Sequence, residues 1–277
     1  MSPLVDPPSS SPRPVVLLHG FSGSGRAWGE LIPTVLRERS ELLVVDLPGH
    51  ESRAGAIPLS RSPSDPSRFR FEAVLESLAS LLDRRGISVA DWVGYSMGGR
   101  LALGMAVSYP TRVGRLVLES ASPGIQTPPE RVERQRQDRD LAAWIETQGV
   151  AAFVDRWLAQ PLFASQARLP AAKREAARAL RLEHSATGLA EALRGMGVGV
   201  QPSYWRQLGD LQADTLLLTG SLDAKFVALA KEMAKDIPRV RAITVEGVGH
   251  NLHLEAPEAW LERVVPFLEQ GAGGGSP

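Results

Sequence analysis

Short apolar runs alternate along this chain with stretches in which apolar side chains recur every three or four residues. The runs are "PVVLLHG" (14–20), "ELLVVDLPG" (41–49), "ADWVGY" (90–95), "GRLVLES" (114–120), "ADTLLLTGS" (213–221) and "VRAITVEG" (240–247). They are short and mostly apolar throughout, which predicts strands buried on both faces. Residues 71–86 place Phe71, Val74, Leu75, Leu78, Leu81 and Leu82 on one helical face, and Gly86 ends the pattern. A second helix is predicted over 98–110, stopped by Pro110, and two more over 225–236 and 256–269. Strands separated by helices predict an α/β fold, a mostly parallel sheet with helices on both faces.

The middle of the chain breaks this rhythm. Residues 125–208 hold charged helical stretches and no convincing strand. They read as a helical lid inserted into a core formed by 14–124 and 209–270. Such an insertion is expected over the carboxyl ends of the strands, where open α/β sheets bind ligands. Residues 1–13, rich in Pro and Ser, are expected to form a flexible start, and the Gly-rich 271–277 a disordered tail.

Composition narrows the function classes. Thirty-one basic residues balance 31 acidic ones, so no global field favours nucleic acid or an anionic membrane. Any preference for anions must come from locally placed cations. The chain has no cysteine, which removes disulfides, thiolate metal sites and a cysteine nucleophile. The first residues lack the basic-then-apolar run of a signal peptide, and no apolar stretch reaches the roughly 18 residues of a spanning helix. The expectation is a cytoplasmic protein without membrane insertion, a monomer or weak oligomer. His250 and His253 lie three apart without further ligands, so no metal site is predicted.

One motif carries chemistry. Residues 94–98, Gly-Tyr-Ser-Met-Gly, match G-x-S-x-G between a predicted strand and a predicted helix. A sharp turn there would expose the Ser96 hydroxyl above the sheet, with the Met97 amide aimed at a developing oxyanion. A serine of this kind needs a base and the base an orienting acid, in the chain order Ser, acid, His. His250 follows Gly249 on the loop after the last strand, the best position for the base. His253 reads as a helix-start or surface residue. Asp223 lies just beyond the fifth predicted strand and is the candidate acid; the alternative is a cap for the helix near Lys225. Asp214, at the other end of that strand, reads as a polar strand entry. After the first strand, His19-Gly20-Phe21 offers the Phe21 amide as the second oxyanion donor, and His19 reads as a structural hydrogen-bonding residue. The following "GSGSG" lacks the ending of a nucleotide-binding loop.

The order and spacing of "LLHGFSGS", "DLPGH", "VGYSMGGR", "ERQRQDR", "RWLAQPLF", "LDAKF" and "GHNLH" make the chain similar to the 2-succinyl-6-hydroxy-2,4-cyclohexadiene-1-carboxylate synthase (MenH) family of menaquinone biosynthesis, within the α/β-hydrolase superfamily. The resemblance implies a cofactor-free site between sheet and lid. It also implies a lyase that removes a proton beside a succinyl carbonyl and expels pyruvate from a ring. Ser96, Asp223 and His250 would form the triad, and the Phe21 and Met97 amides would stabilise the enolate. The implied substrate is a small molecule with three carboxylates, for which arginine's planar fork is suited. Arg100, Arg134 and Arg181 stand at the family's substrate arginines, and Tyr95 and Trp157 at its aromatic lining. The chain departs from the family in a shortened leading hairpin, Glu51 where glycine is common, a long loop at 61–70, and Leu158 where an aromatic is common.

Two other readings use the same scaffold. A hydrolase of small esters or carbon–carbon bonds would use Ser96 as a nucleophile. A ligand receptor would close its lid for a partner. The triad does not separate the first of these from the lyase; buried arginines do, because a hydrolase of apolar substrates gains nothing from desolvated cations.

Overall fold

A computed structural model describes residues 12–51, 56–59 and 65–270. Residues 1–11 and the predicted tail 271–277 lie outside the described residues. The strands are β1 (Val15–Leu18), β2 (Leu42–Asp46), β3 (Ile57–Pro58), β4 (Ala90–Tyr95), β5 (Val113–Glu119), β6 (Asp214–Gly220) and β7 (Val240–Val245). They form one parallel sheet in the order β3-β2-β1-β4-β5-β6-β7. The α/β class with a mostly parallel sheet is the one the apolar runs predict. The two-residue β3 is the strand that they did not predict. Its second residue is proline, which lacks the ladder donor and is confined to an edge.

Between the strands lie α1 (Leu31–Arg37), α2 (Phe71–Arg84) and α3 (Met97–Ser108). After β5 come α4 (Pro128–Leu158), α5 (Ala171–Leu182) and α6 (Ala186–Met196), and β6 is followed by α7 (Ala224–Asp236). Beyond β7 lie the short α8 (Leu252–Glu255) and α9 (Pro257–Glu269). Successive strand side chains point to opposite faces, and the core divides accordingly. Val16, Leu18, Trp92, Leu116 and Leu217 pack with α2 and α3 on one face. Val15, Leu17, Val93, Val117 and Leu218 pack with Trp260 and Phe267 of α9 on the other.

Residues 125–208 contribute no strand among the described residues. Their helices have a small core of their own, with Ile145 and Phe153 of α4 against Leu189 and Leu193 of α6. The helix α4 is broken at Gly149, whose φ of 81° and ψ of 171° are not helical. The side chains of Phe21 and Trp157 pack against this second core.

Arg13, expected in a mobile start, is anchored instead: its Nε donates to Asp91 Oδ1 at 2.8 Å. Asp91 is buried at the start of β4 and also accepts from the Arg115 amide at 2.7 Å. Burying that carboxylate without cationic donors would be costly, which gives the first described residues a reason to be held.

The chain runs outward from β1 to β3 and then returns to β4 on the other side of β1. The adjacent carboxyl ends of β1 and β4 are therefore a switch point, where neighbouring connections diverge and leave a crevice.

Candidate active site

Ser96 is the single residue between β4 and α3. Its φ of 50° and ψ of −107° lie outside the regions that non-glycine residues favour. The turn is held by close backbone approach. A Cβ on Gly98 would stand 2.1 Å from the Leu18 carbonyl oxygen and 2.6 Å from that of His19. A Cβ on Gly20 would stand 2.6 Å from the Tyr95 ring. The loop after β1 and the start of α3 can touch only because both positions are glycine.

Ser96 Oγ lies 3.1 Å from His250 Nε2, and His250 Nδ1 lies 2.6 Å from Asp223 Oδ2. His250 and Asp223 are both buried. Asp223 makes both of the contacts weighed for it in the sequence. Oδ1 accepts from the Phe226 amide at 3.3 Å as the cap of α7, while Oδ2 faces the imidazole. Ring centroids of Phe226 and Tyr95 lie 4.6 and 5.4 Å from that of His250, and Phe163 lies at 6.1 Å. These contacts fix the ring's plane. Asp214, by contrast, lies at the far end of β6, paired with Arg239 at 2.8 Å.

Met97 is the first residue of α3, so its amide is one of the donors that a helix start leaves free. The amide of Phe21 donates to no acceptor among the described residues. Both residues line a cavity of about 1040 Å³ that also exposes Ser96 and His250.

Tyr95, Arg100, Arg134 and Trp157 line the same cavity. Arg100 donates through Nη1 to the Met196 carbonyl at 2.8 Å and to Gln201 Oε1 at 3.0 Å. It has no carboxylate partner among the described residues. Burial, and then the nearby Arg134 guanidinium, lower its pKa to about 10. Arg134 pairs with Asp138 at 2.7 Å. Arg181 is placed differently: it does not line the cavity. Its buried guanidinium donates to the Ala177 carbonyl at 2.7 Å, and its Nε has no partner. Burial lowers its pKa, and Tyr95 acts in the opposite direction. The cation thus sits one layer behind the wall, on the Tyr95 side.

His253 is not a surface residue. It lies in α8 and is buried, with Nδ1 2.9 Å from both oxygens of Glu119. Glu119 Oε2 also accepts from Trp260 Nε1 at 2.9 Å, and the Glu119 carbonyl accepts from the Ser96 amide at 2.8 Å. The end of β5 therefore ties the serine turn to the loop that carries His250. Chain separation hides this tie, because Glu119 and His253 stand 134 positions apart. Gln201 is hidden in the same way; its role depends on the position of Arg100.

The family model described as Alpha/beta hydrolase family matches residues 15–263. The chain is 39% identical over 257 residues, 92% of its length, to a Bacillus subtilis (strain 168) protein provisionally named 2-succinyl-6-hydroxy-2,4-cyclohexadiene-1-carboxylate synthase, 89% of which is covered. The synthase of that name from Escherichia coli O1:K1 / APEC is 35% identical, with 92% of this chain and 93% of that protein covered. The chain belongs to the 2-succinyl-6-hydroxy-2,4-cyclohexadiene-1-carboxylate synthase family. A solved structure of MenH from S. aureus superposes with a TM-score of 0.86 at 32% identity, covering 95% of both chains. Membership in the synthase family places the chain among enzymes of the α/β-hydrolase superfamily. Among the described residues, no helix is long and apolar enough to cross a membrane.

Proposed function

We propose that this chain is a cytoplasmic lyase of menaquinone biosynthesis. It converts 2-succinyl-5-enolpyruvyl-6-hydroxy-3-cyclohexene-1-carboxylate to 2-succinyl-6-hydroxy-2,4-cyclohexadiene-1-carboxylate and pyruvate. His250, oriented by Asp223, takes the Ser96 proton, and the serine oxygen removes the proton beside the succinyl carbonyl. Negative charge develops on that carbonyl oxygen, where the Phe21 and Met97 amides are preorganised to receive it. Electrons return from the enolate through the ring and expel the enolpyruvyl oxygen, leaving the conjugated diene. The departing group takes up a proton to become pyruvate, which returns the base to its starting state. No covalent enzyme intermediate is needed.

The observation that carries this reading is Arg100. A partly buried cation with no carboxylate of its own stands one helical turn from the serine, in the same cavity as a Ser–His–Asp array. Asp138 offsets the Arg100 charge only in part and is itself paired with Arg134, so a guanidinium here is costly unless a ligand supplies the anion, and this substrate supplies three. Arg134, held by Asp138, would present a second cation. Arg181 would keep the Tyr95 side of the cavity at positive potential from behind the wall.

The test is to incubate the protein with the enolpyruvyl substrate and, separately, with a small acetate ester. The reading requires stoichiometric diene absorbance and pyruvate, with intact-mass analysis of a quenched turnover mixture showing unmodified protein. Ester hydrolysis without pyruvate release, or a substrate-derived adduct on Ser96, would establish the hydrolase reading instead.

A further inference from the structure

The loop that carries the Phe21 amide is held by three imidazoles. His19 Nδ1 lies 2.8 Å from the Gly20 carbonyl, while the Leu47 amide donates to His19 Nε2 at 3.1 Å. The Ser22 amide donates to His50 Nε2 at 3.0 Å, and His50 Nδ1 lies 3.1 Å from the Pro48 carbonyl. His184 Nε2 lies 3.1 Å from the Ser22 carbonyl. Backbone partners fix the tautomers. An imidazole nitrogen facing a carbonyl must carry the proton, and one facing an amide must not. His19 and His50 are therefore neutral with the proton on Nδ1, and His184 donates from Nε2.

The three histidines differ in origin. His19 and His50 belong to the loops after β1 and β2, so they tie the sheet's own connections together. His184 comes from the turn between α5 and α6, in the helical insertion, and is buried. Its ring centroid lies 5.3 Å from that of His50. The residue it holds is strained: Ser22 has a φ of 60°, a conformation that persists in a non-glycine residue only when its surroundings over-determine it. Both backbone polar groups of Ser22 are taken by imidazoles, one from each side. The Ser22 carbonyl shares its peptide with the Gly23 amide, which donates to the Gly20 carbonyl at 3.0 Å, and the Gly20 carbonyl shares its peptide with the Phe21 amide; the hold on Ser22 is thus passed to the direction of the Phe21 N–H.

We propose that His184 is a positioning residue. Through the Ser22 carbonyl it sets the aim of the Phe21 amide, so the oxyanion hole is complete only while the α5–α6 turn is seated. This rests on the reading of Phe21 as an oxyanion donor. His184 is absent from the cavity wall that exposes Ser96, so its removal is expected to slow turnover without weakening substrate binding. Loss of one oxyanion donor typically costs about 10²–10³ in kcat. Loss of the group that aims the donor is expected to cost about tenfold.

The experiment combines steady-state kinetics with selective ¹⁵N-phenylalanine labelling of the full chain, whose seven phenylalanines give a simple amide spectrum. The variants are His184→Leu, His184→Ala and His184→Gln, each first checked for folding by urea titration. His184→Leu and His184→Ala should shift the Phe21 amide resonance and lower kcat about tenfold, with KM within about twofold. His184→Gln can donate to the same carbonyl and should recover most of the rate. A Phe21 resonance that stays in place in a folded His184→Leu or His184→Ala protein would overturn the clamp. A moved resonance with unchanged kcat would remove Phe21 from the oxyanion hole, and with it the proposed role in turnover. A loss confined to KM, or a loss that glutamine does not recover, would overturn positioning by hydrogen bonding.

Discussion

Replacing Arg100 with methionine separates the cost of a buried charge from its use. Methionine roughly keeps the length of the side chain and removes the guanidinium. The fall in the Arg100 pKa from 12.5 to about 10 corresponds to about 3 kcal/mol against holding the charge there, at about 1.4 kcal/mol per unit. Water in the open cavity reduces this to about 2 kcal/mol. Against that stands the loss of the bonds to the Met196 carbonyl and Gln201, each worth about 1.5–3 kcal/mol as a charge-assisted interaction. The lost bonds outweigh the relieved charge, so urea titration should show a stability loss of about 1–4 kcal/mol. On the proposed reading, however, a substrate carboxylate is left without its partner. Removing one charge-assisted bond of this kind should lower kcat/KM for the enolpyruvyl substrate by about 10- to 150-fold, read by pyruvate release. Hydrolysis of a neutral ester, where it occurs, should barely change. A folded Arg100→Met protein that keeps kcat/KM within about threefold would refute the assignment of this arginine to substrate. A stability loss above about 4 kcal/mol would instead mark Arg100 as a structural tie between α3 and the end of α6.

Three further outcomes are expected. Ser96→Ala and His250→Ala should each remove most pyruvate release while leaving the urea midpoint near that of the parent, and the double variant should lose little more than either alone, because the pair acts as a unit; additive losses would contradict this. Burial lowers the pKa of His19 to about 4 and also lowers those of His50 and His184. Below the unfolded value of 6.5 the unfolded chain binds protons that the folded chain refuses, so stability is full above that pH and falls as pH drops toward about 4. His19 alone accounts for about 3 kcal/mol; the urea midpoint should fall across this range and fall less in His19→Gln, and a flat profile would contradict neutral imidazoles. Glu119→Gln replaces an acceptor oxygen by an NH₂ group facing His253 Nδ1 or Trp260 Nε1, which should lower stability by about 1–3 kcal/mol in a urea titration; an unchanged midpoint would contradict the hydrogen-bond network.

The sheet was legible because burial on both faces leaves short apolar runs, and these are local. Six of the seven strands follow from them. The seventh, Ile57–Pro58, is too short to leave a pattern and is defined by its neighbour β2. The serine turn was legible because its glycines answer steric demands within a few residues. Asp223 is marked by its place after a strand, although its service to both helix and imidazole is not. What stayed hidden depends on distant pairing. His253 reads as a helix-start or surface residue; its place in a helix agrees, while its burial stays hidden until Glu119 is brought against it, and His184 reads as one residue of the helical insertion among many until the Ser22 carbonyl arrives. Arg181 shows the converse. The family resemblance suggests the cavity for it, whereas the packing of α5 turns its guanidinium toward Ala177 and leaves it behind the wall.

Phe21 belongs to two parts of the molecule at once. It lines the cavity that exposes Ser96, whereas its side chain packs against the core of the helical insertion as well as that of the sheet. The insertion is therefore not an interchangeable module. A chimera carrying the helical segment of another hydrolase would arrive without the socket for this ring and without an imidazole for the Ser22 carbonyl. Such a graft should fold on an intact sheet with an intact Ser–His–Asp array and still be slow, until the loop after β1 is exchanged along with the helices.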